Sequence, residues 1–508
     1  MISINILGFF NQILFSYIIL FKNNWFYYLI MPNDITFSDY QTRLRTHLDQ
    51  RATKFGQWSG WGGYYRKRIQ SIYQFLIPAG MRVLEVGCGR GDLIASVKPS
   101  YGVGIDLSAR MVAAAQKRHP EIHYLQADVH NLKLNETFDF IILSDAINDL
   151  WDVELAFKQL ANHTQPSTRL IINYFNRLWQ PPLDLAKLFH IATPTLEQNW
   201  LSVQDADNLL NLGDFEVIRN WVEILFPFPI PLIAPLCNRF LVRLWPFRAM
   251  AMTCFSLARP NPARFNQKKK YSVSVVIPAR NEAGNIAAIF KRTPQMGKGT
   301  QLIFVEGHSK DNTYQKIENQ IKKNPGIKAE LIRQTGIGKG NAVRAGFARA
   351  SGEMLMILDA DLTVPPEDLP RFYQALANGK GDFINGVRLV YPMEKRAMRF
   401  LNLLGNKTFS MIFSFLLGQS VKDTLCGTKV LWSKDYQRIA VNRACFGDFD
   451  PFGDYDLIFG AAKLNLKIVD MPIRYRERTY GTSNIQRWKH GWLLLRMVGF
   501  AARRLKFI

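Results

Sequence analysis

At 508 residues the chain exceeds what one ordinary hydrophobic core organises, since domains run to about 150 residues, and two or three domains are expected. Charged residues make up 21% and apolar ones 48%, which excludes a disordered chain and is the balance of a folded enzyme. The formal net charge of +23 favours polyanionic partners (nucleic acid, anionic lipid headgroups or phosphorylated substrates) without choosing among them.

The first element in the chain is apolar. From Ile2 to Phe21 there is no charge, and a run of about 20 such residues is long enough to span a bilayer. No basic residue precedes it, so a cleaved signal peptide fits poorly. If it spans, the Lys/Arg-rich remainder stays cytoplasmic. The competing reading makes Met31 the true start and residues 1–30 an extension, in line with Asn5, Asn11 and Gln12 inside the run. The five cysteines are scattered singly without a CxxC pair, which points to a reducing cytoplasm.

From about Met81 to Ile172 strands and helices alternate, the pattern of a parallel α/β sheet. A short apolar strand from Met81 runs into a turn with Gly87, Gly89 and Gly91, where the backbone can pass beneath a ligand without Cβ interference. A dinucleotide fingerprint would place its last glycine where Asp92 stands, which counts against NAD. Later strands end at Asp106, able to accept two ribose hydroxyls, at Asp128, placed to reach an adenine edge, and at Ser144–Asp149, where reactants of open α/β sheets bind. These motifs, in this order, resemble the class I S-adenosylmethionine-dependent methyltransferases over roughly residues 64–175. The resemblance implies a doubly wound, Rossmann-like fold. It also implies that Glu85, Gly87, Gly89 and Gly91 hold the methionine and ribose portions of S-adenosyl-L-methionine, Asp106 the ribose and Asp128 the adenine. Asp145, Asp149 and His130 are candidate bases for the methyl acceptor.

The segment 221–257 is apolar and broken by Pro227, Pro229, Pro231, Pro235 and Pro246, with Arg239, Arg243 and Arg248 among aromatics. Such proline density forbids one continuous helix and predicts short helices that lie on a surface or roof a site, or else a buried cap. Residues 259–270 have the composition of a linker, so the methyltransferase-like domain is expected over 31–258 and a second domain over 271–485.

In that second block the strand from Tyr271 stops at Pro278–Glu282, the next ends at Glu306, a third leads to Gly336–Arg344 and a fourth ends at Asp359-Ala360-Asp361. Polar groups thus gather at the carboxyl ends, where a nucleotide lies. Lys339 and its neighbouring glycines suit a diphosphate. Asp359 and Asp361, with Ala360 turned away, form a hard-oxygen pair suited to Mg²⁺ or Mn²⁺ once donor phosphates complete the shell. The block resembles family 2 glycosyltransferases of the GT-A fold, in the dolichyl-phosphate mannose synthase-like branch, over about residues 271–483. By that resemblance Asp359 and Asp361 carry the metal, Pro278, Glu282 and Glu306 line the nucleoside, and Arg388 and Arg478 meet the donor phosphates. Asp423–Gly427 is carried over as acceptor wall, and Asp454 and Asp456 as base or acceptor positioners. Three departures stand out: Glu306-Gly307 replaces the usual acidic pair, Thr363 replaces a further metal ligand, and Ser483-Asn484 ends the arginine loop.

After Glu477 no acidic residue occurs, while seven basic ones do. Residues 486–508 are therefore expected to form a basic amphipathic helix at an anionic membrane surface, or one docked on the protein. No groove-reading motif accompanies the charge, so nucleic acid is not the expected partner. The sequence as a whole predicts a bifunctional enzyme at the cytoplasmic face of a membrane. It would use a nucleotide-sugar donor and a lipid-linked, polyprenyl phosphate-like acceptor. The rival is a soluble or polysaccharide acceptor, with the first domain a non-catalytic cofactor-binding or assembly module.

Overall fold

The computed structural model describes residues 36–54, 61–189, 195–265, 269–391, 400–443, 454–478, 480 and 487–506. The apolar run 2–21 lies outside these residues, and no helix among those described is long and apolar enough to cross a membrane.

The first sheet has seven strands: β1 (Arg82–Val86), β2 (Tyr101–Asp106), β3 (His123–Gln126), β4 (Phe138–Ser144), β5 (Thr164–Phe175), β6 (Phe215–Glu223) and β7 (Thr253–Pro260), in the order β3-β2-β1-β4-β5-β7-β6. β1 to β5 are parallel, while β7 runs antiparallel to β5 and β6. The inner parallel strands β1, β2 and β4 are largely buried because helices cover both faces, leaving one core on each side, while β3 at the edge is mostly exposed. The order reverses beside β1, which opens a crevice over its carboxyl end.

The second sheet also has seven strands: β8 (Val273–Ala279), β9 (Thr300–Glu306), β10 (Ala329–Arg333), β11 (Met354–Ile357), β12 (Phe383–Val387), β13 (Lys429–Trp432) and β14 (Ile468–Pro472), in the order β10-β9-β8-β11-β13-β12-β14. Here β13 alone runs antiparallel to its neighbours, and it pairs β11 with the far half of the sheet. Both blocks are thus the doubly wound α/β units expected.

Residues 221–257 are not one unit. They comprise the end of β6, short helical turns from Ile233 to Met250, and the first part of β7; Pro227, Pro229, Pro231 and Pro246 fall between these elements and Pro235 ends the first short helix. Arg259 and Pro260, assigned by composition to a linker, complete β7. Arg259 continues into a junction: Asp382 accepts from Arg259 Nη1 at 3.0 Å and from Arg169 Nη2 at 2.7 Å. Both arginine side chains are nearly buried there. Asn465 adds hydrogen bonds to Arg219 and to Leu76 O. The two domains therefore meet through a buried ionic joint.

The C-terminal helix, Arg487–Ala501, corrects an expectation. Leu494, Met497 and Ala501, the face expected in lipid, are buried in the core of the second domain together with Phe413 and Leu417. The protein supplies the apolar environment instead. Of the described tail residues, Trp492 and Leu495 face outward.

Candidate functional site

At the end of β1 the chain turns through Gly87, Gly89 and Gly91, all at positive φ. At Gly91 an added Cβ would lie 2.0 Å from Tyr124 Oη, whereas at Gly89 it would meet nothing within 4 Å. The turn is thus packed from below and open above, the shape of a ligand cradle. Glu85 lies beneath it, buried, and accepts from Ile94 N at 3.0 Å, which seats the following helix; burial pushes its carboxyl up to about 8. Asp106 accepts from Gly89 N and from Ser108 N, each at 2.9 Å, so strand β2 and the turn are locked together. Burial raises the Asp106 carboxyl above its usual range.

Asp128 accepts from His130 N at 2.9 Å and pairs with His130 Nδ1 at 2.6 Å. Burial opposes its ionisation, but these bonds win and hold it below the usual carboxylate range. His130 Nε2 in turn accepts from Asp152 N at 3.2 Å, so both ring nitrogens are engaged. Asp145 stands apart. It has φ 54°, accepts from Tyr65 Oη at 2.8 Å and from Asn173 Nδ2 at 2.6 Å, and burial pushes it up to about 6. Asp149 is tied to Gln198 Nε2 at 2.9 Å.

Sequence reasoning missed the helix Phe37–Lys54, which lies across this crevice. Gln41 donates to Asp128, Ser108 donates to Asp49, and Tyr40 Oη donates to Asp149 O at 2.6 Å. Its polar residues gave no motif.

The second site gathers at the carboxyl ends of β8, β9 and β11. Pro278 closes β8 in register with Val305, and Glu306 ends β9, accepting from Ser309 N at 2.5 Å. Glu282, nearly buried, accepts from Asn285 Nδ2 at 2.7 Å and meets Arg478 Nη1 at 3.2 Å. Burial outweighs that cation and pushes Glu282 up to about 7. Arg478 Nη2 also meets Asp361 Oδ2 at 2.6 Å, so the arginine loop is drawn across to the acidic triplet. Asp359 meets Lys339 Nζ at 2.5 Å. Burial alone would raise Asp359, but Lys339 above all, with Arg388 and Lys429, holds it low.

Three features explain how this cluster closes. Thr363, in the family's ligand position, donates through N at 3.1 Å and Oγ1 at 2.8 Å to Asp361 Oδ1, so it orients the carboxylate. Gly427 lets the 423–427 loop approach: a Cβ there would lie 2.1 Å from Asp359 Oδ2 and 2.2 Å from Lys339 Nζ. Asp423, fully buried, takes Arg388 Nε at 2.7 Å and Nη2 at 2.9 Å, and Arg388 stacks over Tyr475. Arg388 is thus held by a carboxylate through Nε and Nη2. Asp456 is buried near Arg344, at 3.4 Å, and Arg443, at 3.9 Å, while the Asp454 side chain lies outside the described residues. Lys429, buried on β13 with Nζ donating to Cys426 O at 2.5 Å, escaped sequence reading because its surroundings are a plain apolar strand.

Known proteins match both halves. Residues 274–437 match the model of Glycosyl transferase family 2, and residues 83–167 match a Methyltransferase domain model. Among curated relatives, a dolichol-phosphate mannosyltransferase of Pyrococcus furiosus is 28% identical over 246 residues, 46% of this chain and 67% of that one. An undecaprenyl-phosphate 4-deoxy-4-formamido-L-arabinose transferase of Pectobacterium carotovorum is 30% identical over 42% of this chain and 62% of its own. The chain thus spans about two thirds of these relatives, or somewhat less. Among solved structures, a magnesium protoporphyrin IX methyltransferase of Synechocystis with bound SAH is 17% identical, covering 44% of this chain and all of that one, with TM-score 0.32. One chain therefore joins a methyltransferase domain to a family 2 glycosyltransferase domain.

Proposed function

We propose that the second domain transfers a sugar from a nucleotide-sugar to a polyprenyl phosphate-like acceptor at the cytoplasmic face of a membrane, and that the first binds S-adenosyl-L-methionine and transfers its methyl group. The observation that carries the first half is the cluster Glu282–Arg478–Asp361 beside Lys339–Asp359, where cations and carboxylates converge at the carboxyl end of a GT-A sheet. The named relatives act on dolichol phosphate and undecaprenyl phosphate, which is the ground for the acceptor class.

Asp359 and Asp361 are hard-oxygen donors and fit Mg²⁺ or Mn²⁺, but among the described residues no third carboxylate, histidine or cysteine joins them, so donor phosphates must complete the shell. The metal, when bound, would supply stabilisation of charge on the leaving diphosphate. Arg478 and Lys339 already contact the two carboxylates and would turn part of their hydrogen bonding to the phosphates, as would Arg388. Asp454 and Asp456 remain the acceptor-side pair; for Asp456 the contacts with Arg344 and Arg443 favour positioning over proton transfer. An ionised phosphate acceptor needs no base.

In the first domain the open cradle above Gly89 and the lone pairs left on Asp106 fit the cofactor's ribose end. Asp145 is the base we favour, because burial keeps it near neutrality while Tyr65 and Asn173 hold it in place. The domain limits 31–258 and 271–485 serve as working boundaries. The buried joint on Asp382 favours a second reading, in which the first domain is an assembly module for the transferase. The test is a donor screen across UDP- and GDP-sugars with polyprenyl phosphate in vesicles, with and without chelator, alongside S-adenosyl-L-methionine turnover. No sugar release under any donor would sink the first half. Cofactor binding without turnover would favour the assembly module.

A further inference from the structure

The turns between β6 and β7 are held to the first domain by one row of side chains: Ala234, Asn238 and Val242, spaced by four and all buried. Asn238 does most of the fixing. Its amide donates to Tyr64 Oη at 2.9 Å and to Phe226 O at 2.6 Å, and it accepts from Phe226 N at 2.8 Å. A helical segment docked along one row ordinarily turns polar residues to water. This one turns out Leu232, Leu236, Phe240, Leu244, Trp245 and Met250, with Leu232 85% and Trp245 87% exposed. Isolated exposed apolar side chains are common, but a continuous face of this kind marks an interaction surface.

Charge selects the occupant. Arg239 and Arg248 are exposed within the same face, and no acidic residue occurs between Glu223 and Glu282. A second copy would bring the same positive charge against it, whereas anionic headgroups would neutralise it and admit leucine and tryptophan at the acyl boundary. Near the end of the second domain, Lys506 lies 4.6 Å from the centre of the half-exposed Phe415 ring. Burial, with Arg243, Arg219 and Arg248 nearby, pushes that lysine down to about 7.

We propose that residues 230–250 of the methyltransferase domain are a membrane-docking face, seating this domain on a bilayer that carries anionic headgroups. The inference concerns the first domain and does not depend on sugar transfer.

The experiment uses the full chain and vesicles of phosphatidylcholine and phosphatidylglycerol, brominated on the acyl chains, with neither polyprenyl phosphate nor sugar donor. Because the chain holds 11 tryptophans, Trp245 is read by difference between wild type and Trp245→Phe. The expected result is acyl-chain quenching in wild type that is partly lost in Trp245→Phe, and that fades as salt rises or phosphatidylglycerol is withdrawn. Leu232→Ser/Leu236→Ser should lower vesicle partitioning about tenfold or more, since two exposed leucines leave the acyl boundary. Equal quenching of wild type and Trp245→Phe would overturn the proposal. So would sedimentation in lipid-free buffer showing a dimer in which Trp245 is shielded from acrylamide.

Discussion

The two carboxyl-end sites solve the same problem, holding acidic groups where a nucleoside must lie, by opposite means. In the first domain Asp106 and Glu85 are satisfied by backbone N–H groups within a few residues of the turn they serve, so the cradle is fixed by local chain geometry. In the second, Asp361 is met by Arg478, which comes from far along the chain, and Asp359 by Lys339, the first residue of the helix Lys339–Arg349. A backbone-held carboxylate keeps its place whether or not a ligand is present. A carboxylate held by a side-chain cation is an exchangeable site, and phosphate and metal can each take one side of the pair. That difference suits the proposed function, with a constant cofactor at the first site and a charged donor at the second.

The sharpest way to break this comparison is Asp361→Asn. If the second site works by charge exchange, losing that charge should cost about a thousandfold or more in sugar transfer and donor hydrolysis, about 4 kcal/mol of transition-state stabilisation, with the fold intact. Chelator should do the same to wild type and Mn²⁺ or Mg²⁺ reverse it. An Asp361→Asn enzyme at wild-type rate would leave the pair a purely structural arrangement.

The joint between the domains offers the next largest effect. Asp382→Ala would leave Arg169 and Arg259 buried with their shared carboxylate gone, a change expected to cost about 3–4 kcal/mol. Thermal unfolding should move down and separate into two transitions. A single unchanged transition would mean that the domains are held by something other than this joint.

The same contrast explains what could be read from the sequence. Strands β1, β2, β4, β8, β9 and β11 and their terminal acidic residues were legible, because an apolar run followed by glycine or aspartate is a local signal. The helix Phe37–Lys54, the Asp423 clasp on Arg388 and the joint on Asp382 were not, because each pairs residues that the chain brings together only on folding. For the C-terminal helix the sequence left two partners open, a membrane surface or the protein itself, since periodicity reports a face and not what covers it; Leu494, Met497 and Ala501 lie against the protein.

A pH experiment tests the local side of the comparison. Glu85 has an ordinary value of 4.5 and is pushed by burial to about 8, and Asp145 rises from 3.8 to about 6. A raised folded-state value means the folded chain holds the proton more tightly than the unfolded one. That stabilisation is complete below the unfolded value and is lost as pH climbs through the folded one. First-domain stability should therefore fall between about pH 4.5 and 8, by on the order of 5 kcal/mol for Glu85. Glu85→Gln, which keeps an acceptor for Ile94 N, should flatten the slope in thermal melts. An unchanged slope would show that Glu85 is ionised throughout.

The smallest effect separates binding from architecture within the first site. Asp106 does two things at once, anchoring Gly89 N and Ser108 N and presenting its remaining lone pairs to the crevice. Asp106→Asn keeps one acceptor oxygen for the backbone but replaces the other with a donor, so it should disturb the turn modestly and lose the ribose contacts. The expected cost is about 2 kcal/mol, or about thirtyfold in S-adenosyl-L-methionine affinity, from micromolar values usual for cofactors. Ser108→Ala provides the control, because its side chain bonds Asp49 and Met111 N and not the cofactor crevice. Calorimetry should find Asp106→Asn weakened and Ser108→Ala near wild type. If both lose affinity alike, the effect comes from loosening the turn and the helix Phe37–Lys54 above it, and Asp106 holds the cradle without touching the ribose. If neither does, S-adenosyl-L-methionine does not bind over Gly89, and the open space there serves another ligand.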